Sequence, residues 1–459
     1  MHKTHIKNVI FLTFFALESM IERTILTSLK AWQTRSDRKP LLLFGARQVG
    51  KTWLLRHFGA TCFESCAYFS LDEDTHFSEI LRRTKDPHRI LEQLSFLTEV
   101  PIRPQRTLII FDEIQACPEA LASLKYFCEQ APEYAVACAG SLLGIAVGHE
   151  GFSFPVGKVD HLNMYPLTFS EFLLARDPRL HAYFLSIDEL SPLPQLFFDR
   201  LSEAFMAYRI CGGMPEAASA MVDGNLLRVE EILSNILKDY SLDFVKHTIP
   251  TMANKISHVW HSLPSQLSKE NHKFIYQLIR PGARAREYED ALLWLKNAGL
   301  IHQINLCREP RLPLTAYDEL SIFKVYTLDI GILRRLAGME PSVYQAPAEQ
   351  FKEFRGALTE NYVLQSLLPQ FEAPLRYWTS GNQAELEFLI QQGNNIIPVD
   401  AKAGRSIISK SMTEYTKSYS PALRLRYSML NLVHDGTVLN IPLFLADRTR
   451  DFIHFALDS

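Results

Sequence analysis

The sequence predicts an α/β protein whose N-terminal part is built on a parallel sheet, and three observations predict it. Leu41-Leu42-Leu43-Phe44 is a short unbroken apolar run, as expected of a strand buried on both faces. The loop Gly45-Ala46-Arg47-Gln48-Val49-Gly50-Lys51-Thr52 follows at once, and a helical pattern from Trp53 to Phe58 follows that. A second apolar run, Thr107-Leu108-Ile109-Ile110-Phe111, ends in Asp112 and Glu113, and ligands of open α/β sheets bind outside such carboxyl ends.

Bulk properties narrow the field. A chain of 459 residues exceeds one compact core; about 150 residues per domain gives roughly three domains. Hydrophobic content of 47% with 22% charged residues excludes disordered and collagen-like classes. A net charge of −3 provides no overall basic footprint, so a nucleic-acid partner would need a local basic face. The 7 cysteines are scattered and form no CxxC pair, which fits reduced thiols better than a disulfide framework or a zinc site.

Lys3 and Lys7 precede the apolar run Val9 to Leu17, which superficially reads as a short signal peptide. It lacks a small-x-small cleavage site, and Met20 opens a cleaner amphipathic stretch, Ile21 to Trp32. Residues 1–19 therefore read as an upstream extension or a misassigned start, with a short packing helix and an export signal as the alternatives. No other segment approaches the ~18 apolar residues of a membrane span. The expected compartment is the cytoplasm, with no membrane partner.

Gly45 to Thr52 matches G-x-x-x-x-G-K-[ST] at every fixed position, in the strand–loop–helix context that the motif requires. Glycines let backbone N–H groups curl around a β-phosphate, and the new helix adds its positive end, so Gly45 through Trp53 are the expected ATP-binding residues. Lys51 is placed to reach the β and γ oxygens, and the Thr52 hydroxyl to ligate Mg²⁺. Asp112 would hold the Mg²⁺ through water, and Glu113 would orient and deprotonate an attacking water.

Two further strands complete the sheet, Ala67 to Leu71 and Tyr134 to Ala139. Inserted between the first strand and the Asp112 strand, the latter would bring Ser141 to the γ-phosphate as a polar sensor. Ser141 reads equally well as a helix N-cap before Leu142. Helices near Leu97 and from Pro118 to Glu129 would cover the faces.

These motifs, with Phe111-Asp112-Glu113-Ile114-Gln115, Ala139-Gly140-Ser141, Phe154 to Val159, Tyr165 to Phe172, Gly212-Gly213-Met214-Pro215 and Ala384 to Phe388, resemble a large prokaryotic family of AAA-like P-loop ATPases. Its members join an ATPase core to a C-terminal region described only as a domain of unknown function. The resemblance runs from Met20 to the C-terminus. It implies ATP binding but no substrate. An arginine finger is not evident: Arg47 lies inside the loop, and Lys158 stands where an arginine is expected. That argues against fast hydrolysis by the chain alone.

Residues 178–345 read as a mostly helical region. Ala204 to Cys211 stops at Gly212-Gly213, and Leu226 to Phe244 has Leu226, Val229, Ile232, Ile236 and Tyr240 at helical spacing. Asn271 to Arg280, Tyr288 to Ala298 and Gly299-Leu300-Ile301 read as helix, helix, strand, an order that resembles a winged-helix module with Tyr288 to Leu295 as recognition helix. Lys273, Arg280, Arg284 and Arg286 would favour DNA, while Glu287, Glu289 and Asp290 offset them and favour a structural or protein-binding role.

In residues 346–459, a helix from Gly356 to Leu368 carries Glu360, and Glu385 to Ile390 alternates like a strand. A Gly/Asn turn leads to a second strand ending in Asp400-Ala401-Lys402. Residues i and i+2 of a strand share a face, so Asp400 and Lys402 point together, and Glu387 lies across the hairpin. Two carboxylates and a lysine in this arrangement resemble the PD-(D/E)xK, restriction-endonuclease-like fold, with Glu387 one methylene longer than the usual aspartate. Six Lys/Arg against two acids between Ile397 and Tyr427 supply a basic face. The competing view is a hairpin with a solvated polar face.

The sequence thus predicts an extension (1–19), an AAA-like core (20–177), a winged-helix-like region (178–345) and a nuclease-like α/β domain (346–459). The expected function is Mg²⁺-dependent ATP hydrolysis that gates the C-terminal domain. The alternatives are a nucleotide-switched binding or signalling module awaiting a protein partner, and an ATP-dependent nuclease.

Overall fold

The structure is a computed structural model and describes residues 21–146, 154–268, 273–344, 351–381, 384–403 and 409–458. The expected N-terminal extension lies outside these residues. The chain divides into two compact units: the residues up to Tyr165 with Asn297–Gly299, and Pro166–Lys296 with Leu300 onward.

The first unit runs α1 (Ile25–Thr34), β1 (Leu41–Phe44), α2 (Lys51–Cys62), β2 (Ser65–Ser70), α3 (Thr75–Arg83), α4 (Pro87–Leu97), β3 (Thr107–Asp112), α5 (Pro118–Gln130), β4 (Ala135–Ala139), α6 (Leu143–Ala146) and β5 (Asp160–Asn163). Its sheet has the order β2-β3-β4-β1-β5 with every pair parallel. The strand carrying Ala135–Ala139 therefore lies between β1 and the Asp112 strand, as the Ser141 reading required. Leu41 to Leu43, Leu108 to Phe111 and Ala137 to Ala139 are fully buried because helices cover both faces. Each large apolar side chain so buried contributes about 1.5–3 kcal/mol. Asp74 and Asp86 cap α3 and α4 by accepting from the backbone N–H groups of His76 and His88.

The second unit begins with helices α7 (Phe169–Arg176), α8 (Pro178–Leu185), α9 (Gln195–Cys211), α10 (Pro215–Val222), α11 (Leu226–Lys246), α12 (Pro250–Ser268) and α13 (Ala285–Asn297, whose last residue belongs to the first unit). It continues β6 (Ile301–Cys307), β7 (Asp318–Thr327), α14 (Ile330–Leu336), α15 (Lys352–Leu367), β8 (Arg376–Thr379), β9 (Glu385–Gln392), β10 (Asn395–Ala401), α16 (Lys410–Tyr419), β11 (Arg424–Ser428), β12 (Val433–Asp435), β13 (Val438–Pro442) and α17 (Thr449–Asp458). Eight strands form one mixed sheet, β12-β13-β11-β10-β9-β8-β6-β7. Thr168 and Glu171 form a reciprocal capping box at α7. The β9–β10 hairpin is antiparallel as expected, with Val399 opposite Phe388, so Glu387 and Asp400 come next on neighbouring strands.

Two expectations change here. The segment expected to be helical from Asn271 to Arg280 shows, among its described residues, only a 3₁₀ turn at Tyr276–Leu278. Its backbone is claimed from outside: Phe274 N–H donates to the Phe323 carbonyl at 2.6 Å. The Gln266 carboxamide pairs with both the N–H and the C=O of Ile275, at 2.9 and 2.8 Å. These bonds hold Ile275 extended, at φ −117° and ψ 108°. Second, the middle region is less uniformly helical than its pattern, because β6 and β7 pair antiparallel and join the C-terminal sheet through β8.

Candidate nucleotide site

The phosphate loop is shaped by what lies behind it. Gly45 adopts φ +148°, and a Cβ there would come within 2.3 Å of the Met164 carbonyl oxygen. Only glycine fits so close a backbone approach. Gly50, at φ 95°, turns the chain into α2, and Gln48 also takes a left-handed conformation at φ 66°. The buried Arg23 guanidinium clamps the loop, donating to the carbonyls of Val49 at 2.9 Å and Tyr165 at 2.6 Å.

Inside the loop, the Lys51 ammonium donates to the Gly45 and Ala46 carbonyls at 2.8 and 2.7 Å. Burial pushes its pKa down to about 8, Glu113 and Asp112 opposing and Arg47 adding to the fall. One residue on, the Thr52 hydroxyl donates to Asp112 Oδ2 at 2.7 Å. The Tyr68 hydroxyl donates to the same oxygen at 2.9 Å, and the Glu113 N–H to Oδ1 at 3.0 Å. The Arg56 guanidinium lies 3.8 Å from the Tyr68 ring centroid, and Trp53 stacks on His57 at 4.9 Å. Alternation makes Tyr68 intelligible: Ser70 is opposite Asp112 in the ladder, so Tyr68, two residues back, shares its face.

Glu113 holds φ 48° and ψ 46°, an unusual backbone for a glutamate and a common one where geometry serves a site. Its Oε2 accepts from the Ser141 N–H at 3.2 Å and the Ser141 hydroxyl at 3.1 Å, and also from the Gln115 amide. Ser141 is thus brought to the acid pair. Lys158, where an arginine was expected, pairs with Glu129 at 2.9 Å. The sequence supplied the loop and the acids but neither Arg23, Tyr68 nor the part taken by Gln115. No sequence signal links Arg23 to the loop; the Gln115 contact depends on the 3₁₀ turn Ile114–Ala116.

A second polar cluster lies in the second unit and brings together Glu387, Asp400, Lys402 and Glu360. Lys402 Nζ is 2.7 Å from Asp400 Oδ1 and 3.7 Å from Glu387 Oε1. Glu387 Oε2 accepts from the Ala401 N–H at 3.1 Å. Asp400 is fully buried, and neither carboxylate oxygen receives a well-directed hydrogen bond, the Lys402 contact at Oδ1 being an ion pair. Glu360 belongs to the same field: burial raises its pKa, while Lys324 and Lys402 oppose that rise. Three members escaped the sequence reading. Lys324 pairs with Glu385 and lies 3.7 Å from Glu360, to which the Tyr326 hydroxyl donates at 3.1 Å. Among the described residues, no group of three or more His, Cys, Asp or Glu side chains is arranged to hold a metal ion.

In the segment expected to resemble a winged helix, Arg280 pairs with Glu287 at 3.6 Å and lies 5.8 Å from the Tyr288 ring centroid. Tyr288, Leu292 and Leu295 of the expected recognition helix are buried. No helix among the described residues is long and apolar enough to cross a membrane.

A parallel sheet in this order, with a phosphate loop after β1 and an acid pair after β3, is the arrangement of a P-loop nucleotide-binding domain. Residues 37–173 match a family described as an AAA domain. Residues 202–343 and 355–444 each match a family described as a domain of unknown function (DUF8612 and DUF4143, respectively). Curated proteins give no match. Among solved structures, a Walker-type ATPase of Pyrococcus abyssi is similar at 14% identity and a TM-score of 0.44, over 70% of this chain and 97% of that one. The Thermotoga maritima RuvB Holliday junction branch migration motor is similar at 13% identity and a TM-score of 0.32, over 70% and 96%. The Aeropyrum pernix ORC1 protein, solved in complex with DNA, is similar at 14% identity and a TM-score of 0.31, over 73% and 96%.

Proposed function

We propose that the first unit binds ATP at Gly45 to Trp53 and hydrolyses it, with Lys51 on the terminal phosphate, Ser141 holding Glu113 beside it, and Glu113 as the base that takes a proton from the attacking water. The observation that carries this reading is the 2.7 Å bond from Thr52 to Asp112, which joins the phosphate loop to the acid strand. Both are hard oxygen donors, the set that suits Mg²⁺, and would hold that ion beside the phosphates. Bound there, Mg²⁺ neutralises charge on the β and γ oxygens. Lys51 adds a compact positive charge, while the Ser141 hydroxyl and N–H orient the Glu113 carboxylate.

ATP hydrolysis by the full chain beside Lys51→Ala and Glu113→Gln tests the reading. Lys51→Ala should abolish ATP binding. Glu113→Gln should retain ATP while turnover falls about 10²–10⁴-fold, the usual contribution of a positioned base. Wild-type turnover in Glu113→Gln would remove Glu113 from that role. Tight ATP binding with negligible wild-type turnover would instead favour the nucleotide-switched module, awaiting a protein partner's arginine.

A second reading concerns residues 346–459, where the convergence of Glu360, Glu387, Asp400 and Lys402 supports a PD-(D/E)xK-like centre gated by the ATPase. With it go the proposed division into 20–177, 178–345 and 346–459 and a DNA partner. The α13 helix followed by the β6–β7 hairpin supports a winged-helix-like middle. Nicking of DNA with Mg²⁺ or Mn²⁺ that is lost in Asp400→Ala and Lys402→Ala would establish an ATP-dependent nuclease; intact DNA under all conditions would refute one.

A further inference from the structure

We propose that Gln115 is a positioning residue for hydrolysis, fixing the Glu113 carboxylate against the Gly140-Ser141 turn so that one oxygen is anchored and the other faces the attacking water. The inference rests on the reading of Glu113 as the base and adds a residue that the loop-and-acid motifs do not assign.

Three observations carry it. First, all of the side-chain anchoring falls on one oxygen. Glu113 Oε2 accepts from the Gln115 amide and from the Ser141 N–H and hydroxyl. Oε1 takes part in none of these bonds. A carboxylate held by three donors on one oxygen cannot swing, and its second oxygen stays available as an acceptor. Second, the Gln115 carboxamide fits where only glycine leaves room for it. A Cβ on Gly140 would come within 2.0 Å of Gln115 Oε1. That oxygen is buried and receives no hydrogen bond. Third, the backbone supplies the geometry. Glu113 sits in the left-handed region and starts the 3₁₀ turn Ile114–Ala116, which returns the side chain of Gln115 to that of Glu113. Ala116 N–H donates to the Glu113 carbonyl at 2.8 Å and closes the turn.

Gln115 therefore joins the end of β3 to the end of β4. The Ser141 anchor and the water contact proposed for Glu113 are held in one geometry by a side chain that touches neither ATP nor the water. Its loss should act on the chemical step and leave ground-state binding alone, because Lys51, Thr52 and the loop N–H groups lie outside the contact.

The test compares Gln115→Met, which keeps volume and removes the donor, with Gly140→Ala, which evicts the carboxamide while leaving Gln115 in place. Each is made in the full chain, alone and combined with Glu113→Gln, and assayed for ATP turnover and for equilibrium binding of a fluorescent ATP analogue. Both single variants should lower kcat at least tenfold with nucleotide affinity within twofold of wild type. Neither should lower it further when combined with Glu113→Gln, since residues acting through one group are not additive. Unchanged kcat in Gln115→Met, or a loss that multiplies with that of Glu113→Gln, would overturn the proposal. Wild-type turnover in Glu113→Gln alone would instead remove the base reading on which it rests.

Discussion

Lys51 illustrates how much a single buried charge can report. Burial holds its pKa near 8, whereas a triphosphate at Nζ would favour the charged form strongly and restore it. At pH 8.5 most of the population is neutral before ATP binds, so binding should take up a proton, about 0.8 per site on these values. Titration calorimetry in buffers of different ionisation enthalpy measures this directly. The uptake should shrink toward zero at pH 6.5, and Lys51→Arg should abolish it, because a guanidinium does not titrate in this range. Equal heats in all buffers at pH 8.5 would show that Lys51 is charged before ATP arrives. At this scale the sequence named Lys51, Thr52, Asp112, Glu113 and Ser141 because fixed spacing in a loop and at a strand end translates directly into position. It did not name Tyr68 or Arg23, which reach the same site across the fold.

Elements were legible where burial alone decides them. The strands β1, β3 and β4 are unbroken apolar runs because both faces are covered, and their order follows once the Asp112 strand is set apart from β1. The segment before α13 departs from its helical pattern because Gln266 and Phe323 hold its backbone extended, contacts that local periodicity does not contain. The phosphate loop combines both cases: its glycines are visible in sequence, but its support by Arg23 is not. Removing Arg23 leaves the Val49 and Tyr165 carbonyls without these donors, at about 1–3 kcal/mol for each buried acceptor. Arg23→Ala should therefore lower the melting temperature and weaken ATP binding about tenfold, with Arg23→Lys intermediate. Melting curves and equilibrium ATP binding check this; a variant that binds ATP as tightly as wild type would show that the loop holds its shape without the clamp.

For the molecule as a whole, the C-terminal constellation was read from a helix, a hairpin and an Asp-x-Lys, and those elements formed as read. Lys324, Tyr326 and Glu385 were not legible as partners, since Lys324 and Glu385 stand 61 residues apart on strands that meet only once the mixed sheet has formed. With them the cluster holds four carboxylates and two lysines, and this imbalance makes stability depend on pH. Burial pushes the Glu387 carboxyl up to about 8, with Asp400, Glu360 and Glu385 adding to the rise and Lys402 opposing it. In the unfolded chain the same group titrates near 4.5. Between those values the folded state binds more protons than the unfolded state, so stability falls as pH rises and is lowest above pH 8. Asp447, pushed up to about 7 by burial, has the same sign, as do the buried Glu360 and Asp329 carboxyls, so Glu387→Gln removes one of several such contributions. Calorimetric melting from pH 6 to 8.5 should show wild type losing stability faster than Glu387→Gln, by up to one proton's slope, about 1.4 kcal/mol per pH unit. Parallel curves would mean that Glu387 is already ionised in the folded protein, held by Lys402 in a permanent ion pair.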